Sequence, residues 1–209
     1  MYPKGNLYIP ASHGRLEAIL KEPAGERRGV ALVCHPHPLG GGTMHNKVVF
    51  RAAAGLVDAG LTTLRFNFRG VGDSTGTHDE IEGGREDVRD ALDYLTADFP
   101  GEDLTLAGFS FGSRTALEVG WNDERVTRLI SIGTPVDKYG DYEFLHGVEK
   151  PILFIHGDRD EFGSLESLKI LTDAIPHAEV VIFEHCGHFF DEHLNKLRDT
   201  IRGWVERNI

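Results

Sequence analysis

Six short apolar runs recur along the chain, at residues 29–35, 61–68, 104–107, 126–132, 152–155 and 180–183. Each is continuous rather than alternating. That is the pattern of a strand covered on both faces, as in a parallel sheet between two helical layers. Segments with apolar residues at helical spacing lie between most of them. Val48, Val49, Ala52, Ala53, Leu56 and Val57 mark one over 47–58, with Thr43 as a candidate N-cap and Gly60 past its end. Val88, Ala91, Leu92 and Leu95 mark another over 80–97, acidic in its early residues. Others begin at Arg114 or span 165–174 and 193–207. This alternation predicts an α/β fold: a mostly parallel twisted sheet of about six parallel strands, flanked by crossover helices. Residues 6–9 and 15–20 read as an antiparallel hairpin around Ser12-His13-Gly14 that leads the sheet. A chain of 209 residues without repeat or long linker suits one domain over 1–209.

In such a sheet, ligands bind outside the carboxyl ends of the strands. The residues just after each run are therefore the ones to inspect. After the run at 104–107 comes Gly108-Phe109-Ser110-Phe111-Gly112. Glycines two residues before and after a serine are the spacing of a nucleophile elbow, a sharp strand-to-helix turn with the serine at its apex in a strained conformation. With 25 glycines in 209 residues, random placement gives roughly 0.1 such matches, so the motif needs partners elsewhere. A serine hydroxyl needs a base within reach and a third group to orient that base. The strand ends supply both. His156-Gly157-Asp158-Arg159-Asp160 follows one run, and Glu184-His185-Cys186-Gly187-His188 follows another. Serine, acid and histidine thus occur in that order, with Asp158 or Asp160 as the acid and His185 or His188 as the base.

Taken together, these segments resemble the α/β-hydrolase superfamily, and within it the small serine hydrolases that lack a lid. Arg69-Gly70-Val71-Gly72-Asp73-Ser74 is similar to that superfamily's Arg-Gly-x-Gly-x-Ser loop. The His-Gly-x-x-Asp segment implies Asp160 as the acid, and the Gly-His segment implies His188 as the base. His35-Pro36-His37-Pro38-Leu39-Gly40-Gly41 takes the place of the usual His-Gly-x-x-Gly loop and resembles a small subgroup akin to dienelactone hydrolases and serine aminopeptidases. The resemblance covers nearly the whole chain. It implies the α/β-hydrolase fold and a Ser110–His188–Asp160 triad. By position, Asp158 then reads as a turn former through its side chain, and His185 as ending a strand or capping a carbonyl.

The roles follow from the chemistry. Ser110 attacks an acyl carbonyl, His188 takes its proton and returns it to the leaving group, and Asp160 holds the imidazole tautomer. The oxyanion needs preorganised N–H donors. The Phe111 backbone N–H at the start of the next helix is one. The second has to come from the loop after the first parallel strand, where Pro36 and Pro38 have no N–H to give. By position that leaves His37, with Leu39 as second choice. Arg69 and Asp73 read as residues that hold their loop in place.

The remaining features narrow the class. A net charge of −11 argues against nucleic acid and against an anionic membrane surface, both of which need basic patches. Two cysteines, Cys34 and Cys186, are too few for a disulfide framework and read as reduced thiols, the state of a cytoplasmic protein. The opening MYPKGNLYIP lacks a signal-peptide pattern, and no apolar run is long enough to span a membrane. No cofactor is expected: the Gly-rich loop matches neither a P-loop nor a dinucleotide fingerprint. No metal is expected either, because His35, His37 and His45 lack a further spaced ligand. Only nineteen residues separate the runs ending at Ile132 and starting at Ile152, too few for a cap domain. Phe109, Phe111, Tyr139, Tyr142, Phe144, Phe162, Phe189 and Phe190 are the aromatics from which an acyl pocket could draw. The expected activity is hydrolysis of a small or exposed carboxylic ester through an acyl-enzyme. Thioester, peptide and lactone substrates use the same machinery, and a non-catalytic binding module on this fold is the reading of a different class. The oligomeric state has no signal in the sequence.

Overall fold

The structure is a computed structural model that describes residues 5–209, so the first four residues of the N-terminal decapeptide lie outside it. Its centre is an eight-stranded sheet of order β1-β2-β4-β3-β5-β6-β7-β8. The strands are β1 (Leu7–Ala11), β2 (Gly14–Lys21), β3 (Val30–Cys34), β4 (Thr62–Phe66), β5 (Leu104–Phe109), β6 (Val126–Ile132), β7 (Ile152–Gly157) and β8 (Ala178–Phe183). β1 and β2 pair antiparallel, and β2 joins β4 antiparallel. The six strands from β3 onward are mutually parallel, as their continuous apolar runs predict. This is the α/β-hydrolase fold.

The helices are α1 (Lys47–Asp58), α2 (Glu80–Asp98), α3 (Phe111–Gly120), α4 (Val136–Tyr139), α5 (Leu165–Asp173) and α6 (Leu194–Asn208). Side chains alternate across the strands, so the core forms in two layers. Ala31, Val33, Ala107, Ile130 and Ile155 pack against Val49, Ala52 and Leu56 of α1 and Leu197, Ile201 and Trp204 of α6. Val30, Leu32, Cys34, Leu106 and Phe154 pack against Val88 and Leu92 of α2 and Ala116 and Leu117 of α3 on the opposite face. The cap of α1 differs from expectation. Asn46, not Thr43, accepts the N–H of Val48, while Thr43 Oγ1 accepts the N–H of His45 one turn earlier. Both residue types cap well, and the start of the helix decides between them.

β4 lies on one side of β3 and β5 on the other, so the chain reverses its direction of travel across the sheet there. The carboxyl ends of β3 and β5 flank that switch point, where open α/β sheets leave a crevice. The connection from β6 to β7 holds only α4 and a single turn of 3-10 helix, Glu143–Leu145. Among the described residues no cap covers the crevice. Arg114 of α3 ties this connection down, donating to the carbonyl of Gly140 at 3.2 Å and lying 4.4 Å over the Tyr142 ring.

Candidate active site

β5 enters α3 through Ser110, whose φ of 56° and ψ of −121° place it in a region that residues other than glycine seldom occupy. The flanking glycines are steric necessities. A Cβ on Gly108 would stand 2.1 Å from the carbonyl oxygen of Gly112, and one on Gly112 would stand 2.4 Å from that of Cys34. The Ser110 N–H donates to Ile132 O at 3.0 Å, and Ser113 N and Oγ both bond back to Ser110 O at 2.8 and 2.7 Å. The turn is therefore held from both sides, with the serine at its apex.

His188 follows β8, and its ring lies 4.9 Å from that of Phe109 and 4.6 Å from that of Phe162. Its Nδ1 is 2.8 Å from Asp160 Oδ2. Asp160, which follows β7, accepts the Phe162 N–H on its other oxygen at 2.9 Å. Both side chains of the pair are buried. Ser110 and His188 line one cleft of about 210 Å³, together with Pro36, His37 and the glycines at 40–42, Asn46, Lys138, Phe162 and Phe189. Among the described residues the Ser110 hydroxyl has no hydrogen-bond partner, so it stays available to a ligand in that cleft.

The alternative acid and base stand elsewhere. Asp158 accepts the Cys186 N–H at 3.0 Å, and the backbone N–H groups of His185 and Cys186 hold its carboxyl below the ordinary carboxylate range. It fastens the loop after β8 to the loop after β7. His185 has φ of 56°, and its Nδ1 lies 2.6 Å from the Arg159 guanidinium, on the exposed side of the same turn.

The loop after β3 is braced by its own histidines. His35 is fully buried: Nδ1 donates to Pro36 O at 2.6 Å and Nε2 accepts the Phe68 N–H at 3.0 Å. Burial pushes its pKa down to about 3, so the ring is neutral. His37 caps the 3-10 turn Pro38–Gly40, and its Nδ1 accepts the Leu39 N–H at 3.2 Å. That commits the Leu39 N–H, and the Leu39 side chain points to solvent, 76% exposed. The His37 N–H has no acceptor among the described residues, and neither does that of Phe111, the first residue of α3. His35, His37 and His45 do not converge on a common point: His35 is saturated by backbone groups.

Arg69 and Asp73 serve their loop. Arg69 donates to Asp87 at 2.8 and 2.9 Å, and the Asp73 N–H donates to Glu17. Burial pushes the Cys186 thiol up to about 11 and raises that of Cys34 further, which removes both as thiolate nucleophiles. Of the eight aromatics near strand ends, Phe162 and Phe189 line the cleft, whereas Phe109, Phe111 and Phe190 are wholly buried. Asn46 and Lys138 are cleft residues without a sequence signal: one follows a Gly-rich loop and the other sits on a four-residue helix.

Residues 30–201 match the family model described as the alpha/beta hydrolase domain. The chain belongs to the α/β-hydrolase family. An α/β serine hydrolase homologue from Coxiella burnetii superposes with a TM-score of 0.89 at 37% identity, over the full length of both chains. A Xanthomonas campestris protein described as an α/β serine hydrolase without a lid superposes with a TM-score of 0.88 at 33% identity, covering 100% of this hydrolase and 97% of that chain. An uncharacterized protein of Rickettsia prowazekii is 35% identical over 194 residues, 88% of this chain and 81% of the relative. The open crevice of this hydrolase agrees with the lidless relative. No helix among its described residues is long and apolar enough to cross a membrane.

Proposed function

We propose that this hydrolase cleaves a small carboxylic ester through an acyl-enzyme on Ser110. The observation that carries the reading is the buried His188–Asp160 pair at 2.8 Å, opening onto the cleft that also holds Ser110. In the first half-reaction, Ser110 Oγ attacks the ester carbonyl and His188 Nε2 accepts the hydroxyl proton. Asp160 keeps the His188 proton on Nδ1 and stabilises the imidazolium. The negative oxygen of the tetrahedral intermediate is met by the N–H groups of Phe111 and His37, the first aided by the positive end of α3. His188 then hands its proton to the leaving alkoxide. Water, activated by the same histidine, releases the acid.

Substrate size follows from the cleft. At about 210 Å³ it lies below the ~300–1,000 Å³ of pockets that enclose drug-sized ligands. Phe162 and Phe189 offer apolar contact to a short acyl group, while the uncapped crevice leaves the alcohol side in solvent. The chain then needs no nucleic-acid, membrane or cofactor partner for this reaction. A series of p-nitrophenyl esters from acetate to decanoate, assayed with the wild type and Ser110→Ala, tests the reading. Turnover that falls beyond the short acyl chains, and drops by at least ~10³-fold in the variant, supports it. Equal rates for the two proteins, or no turnover of any ester, would sink it.

A further inference from the structure

One cluster of ligating side chains has no part in the proposed reaction. His78, in the loop before α2, has a side chain only 8% exposed, and its Nε2 is buried with no hydrogen-bond partner. Leaving such an atom unsatisfied is costly, so a ligand that supplied it a partner would be favoured there. That nitrogen is 3.9 Å from Glu80 Oε2, which is 3.5 Å from His37 Nε2. The three atoms all lie within 4.8 Å of one another. A tetrahedral Zn²⁺ at ~2.0–2.1 Å from each ligand sets them about 3.4 Å apart. The 3.5 Å His37–Glu80 spacing already suits that edge, and the 3.9 Å His78–Glu80 spacing has to shorten by about 0.5 Å. Two imidazoles and a carboxylate suit zinc and its transition-metal neighbours better than calcium or magnesium. The Glu80 carboxylate is 69% exposed, which leaves an entry route and a place for water. Asp79 and Glu82 beside it offset the positive end of α2.

We propose that His37, His78 and Glu80 form a binding site for a divalent transition-metal ion such as Zn²⁺, and that its occupation inhibits the hydrolase. The site stands without the hydrolase reading; the inhibition rests on it. The coupling lies in the His37 ring. Its Nδ1 accepts the Leu39 N–H, so in the neutral ring the proton is on Nε2. Metal binding at Nε2 displaces that proton, and Nδ1 takes one up to keep the ring neutral. Nδ1–H and Leu39 N–H are then two donors face to face. The two donors repel, and that repulsion, which removal of the ring does not produce, pushes the 3-10 turn and the His37 backbone N–H offered to the oxyanion out of place. In the second trio of potential ligands, His13, Asp87 and Asp90, Asp90 Oδ2 is also buried without a partner, but Asp87 is already held by both His13 and Arg69.

Chelator-stripped full-length protein titrated with ZnCl₂ in a calorimeter tests the site, with Co²⁺ absorption reporting its geometry. One equivalent should bind at micromolar Kd or tighter, with the visible bands of four-coordinate Co²⁺. Glu80→Gln and His78→Gln should each weaken binding at least tenfold, and Ser110→Ala should not. Zinc should then suppress ester hydrolysis by the wild type, reversibly with EDTA, and spare Glu80→Gln at the same concentration. Absence of binding below millimolar zinc overturns the proposal. So does binding undiminished in both cluster variants, or binding lost in His13→Gln instead. Binding as described without any loss of activity overturns the inhibitory half. A wild type that hydrolyses nothing leaves calorimetry to decide the site, so failure of the hydrolase reading is separable.

Discussion

Asp160 divides its two carboxylate oxygens between the Phe162 N–H at 2.9 Å and His188 Nδ1 at 2.8 Å. Both neighbours present a proton, so an acceptor-only carboxylate satisfies both. Asp160→Asn breaks that symmetry. If the amide oxygen keeps the Phe162 N–H, the amide nitrogen faces Nδ1 and donates to it. The His188 proton then sits on Nε2, towards Ser110, and the base is lost. The expected result is a fall of about 10³–10⁴-fold in kcat with little change in KM. Steady-state ester kinetics on the folded variant checks it.

Ser110 offers a trade of stability against activity. Its φ of 56° and ψ of −121° store strain that glycine does not feel. Ser110→Gly should raise unfolding free energy by about 1 kcal/mol, the ~1–3 kcal/mol of strain less the ~0.4–1 kcal/mol that glycine adds to unfolded-state entropy. Ser110→Ala should show no such gain. Both should be inactive. Urea unfolding of the three proteins gives the comparison.

His37 acts through its backbone in this account, and proline isolates that role. The residue already has φ of −51°, close to what proline requires. His37→Pro removes the N–H, and His37→Ala removes the ring alone. The ratio of their kcat values reads the N–H, and about 10²-fold in favour of alanine is expected. Comparable rates in the two would move the second oxyanion donor elsewhere.

The strand ends were legible in the sequence because parallel strands buried on both faces leave continuous apolar runs, and the runs at 104–107, 152–155 and 180–183 are each followed within five residues by Ser110, Asp160 or His188. That reading and the elbow spacing singled out Ser110 but left Asp158 or Asp160 and His185 or His188 as its partners, and only the resemblance chose between them. What the sequence hid depends on tertiary approach. His78 and Glu80 lie about forty residues after His37 and meet it only because α2 starts beside the loop after β3. The choice among eight aromatics was equally hidden, since Phe109 and Phe111 flank the serine in sequence yet point into opposite core layers. α4 is too short to show a period. Lys138, at the cleft edge, inherits that silence.

His35 sets an acid limit on the fold. Its imidazole is held neutral by burial, with a pKa near 3 in the folded protein against 6.5 when free. Between those values the unfolded chain binds more protons than the native one. The stabilisation is therefore complete above pH 6.5 and is lost as pH falls towards 3, by up to about 1.4 kcal/mol per unit. Thermal unfolding of the wild type and His35→Gln from pH 8 to pH 4 should show a shallower acid slope in the variant. Parallel slopes would assign the acid sensitivity to other groups.

The central claim is that Ser110 is a nucleophile activated by His188. Labelling with a fluorophosphonate probe tests it without knowledge of the substrate. The account predicts a single adduct, mapped to Ser110 by peptide mass, absent in Ser110→Ala and formed far more slowly in His188→Ala. A folded wild type that takes no label, or an adduct on any other residue, would contradict it.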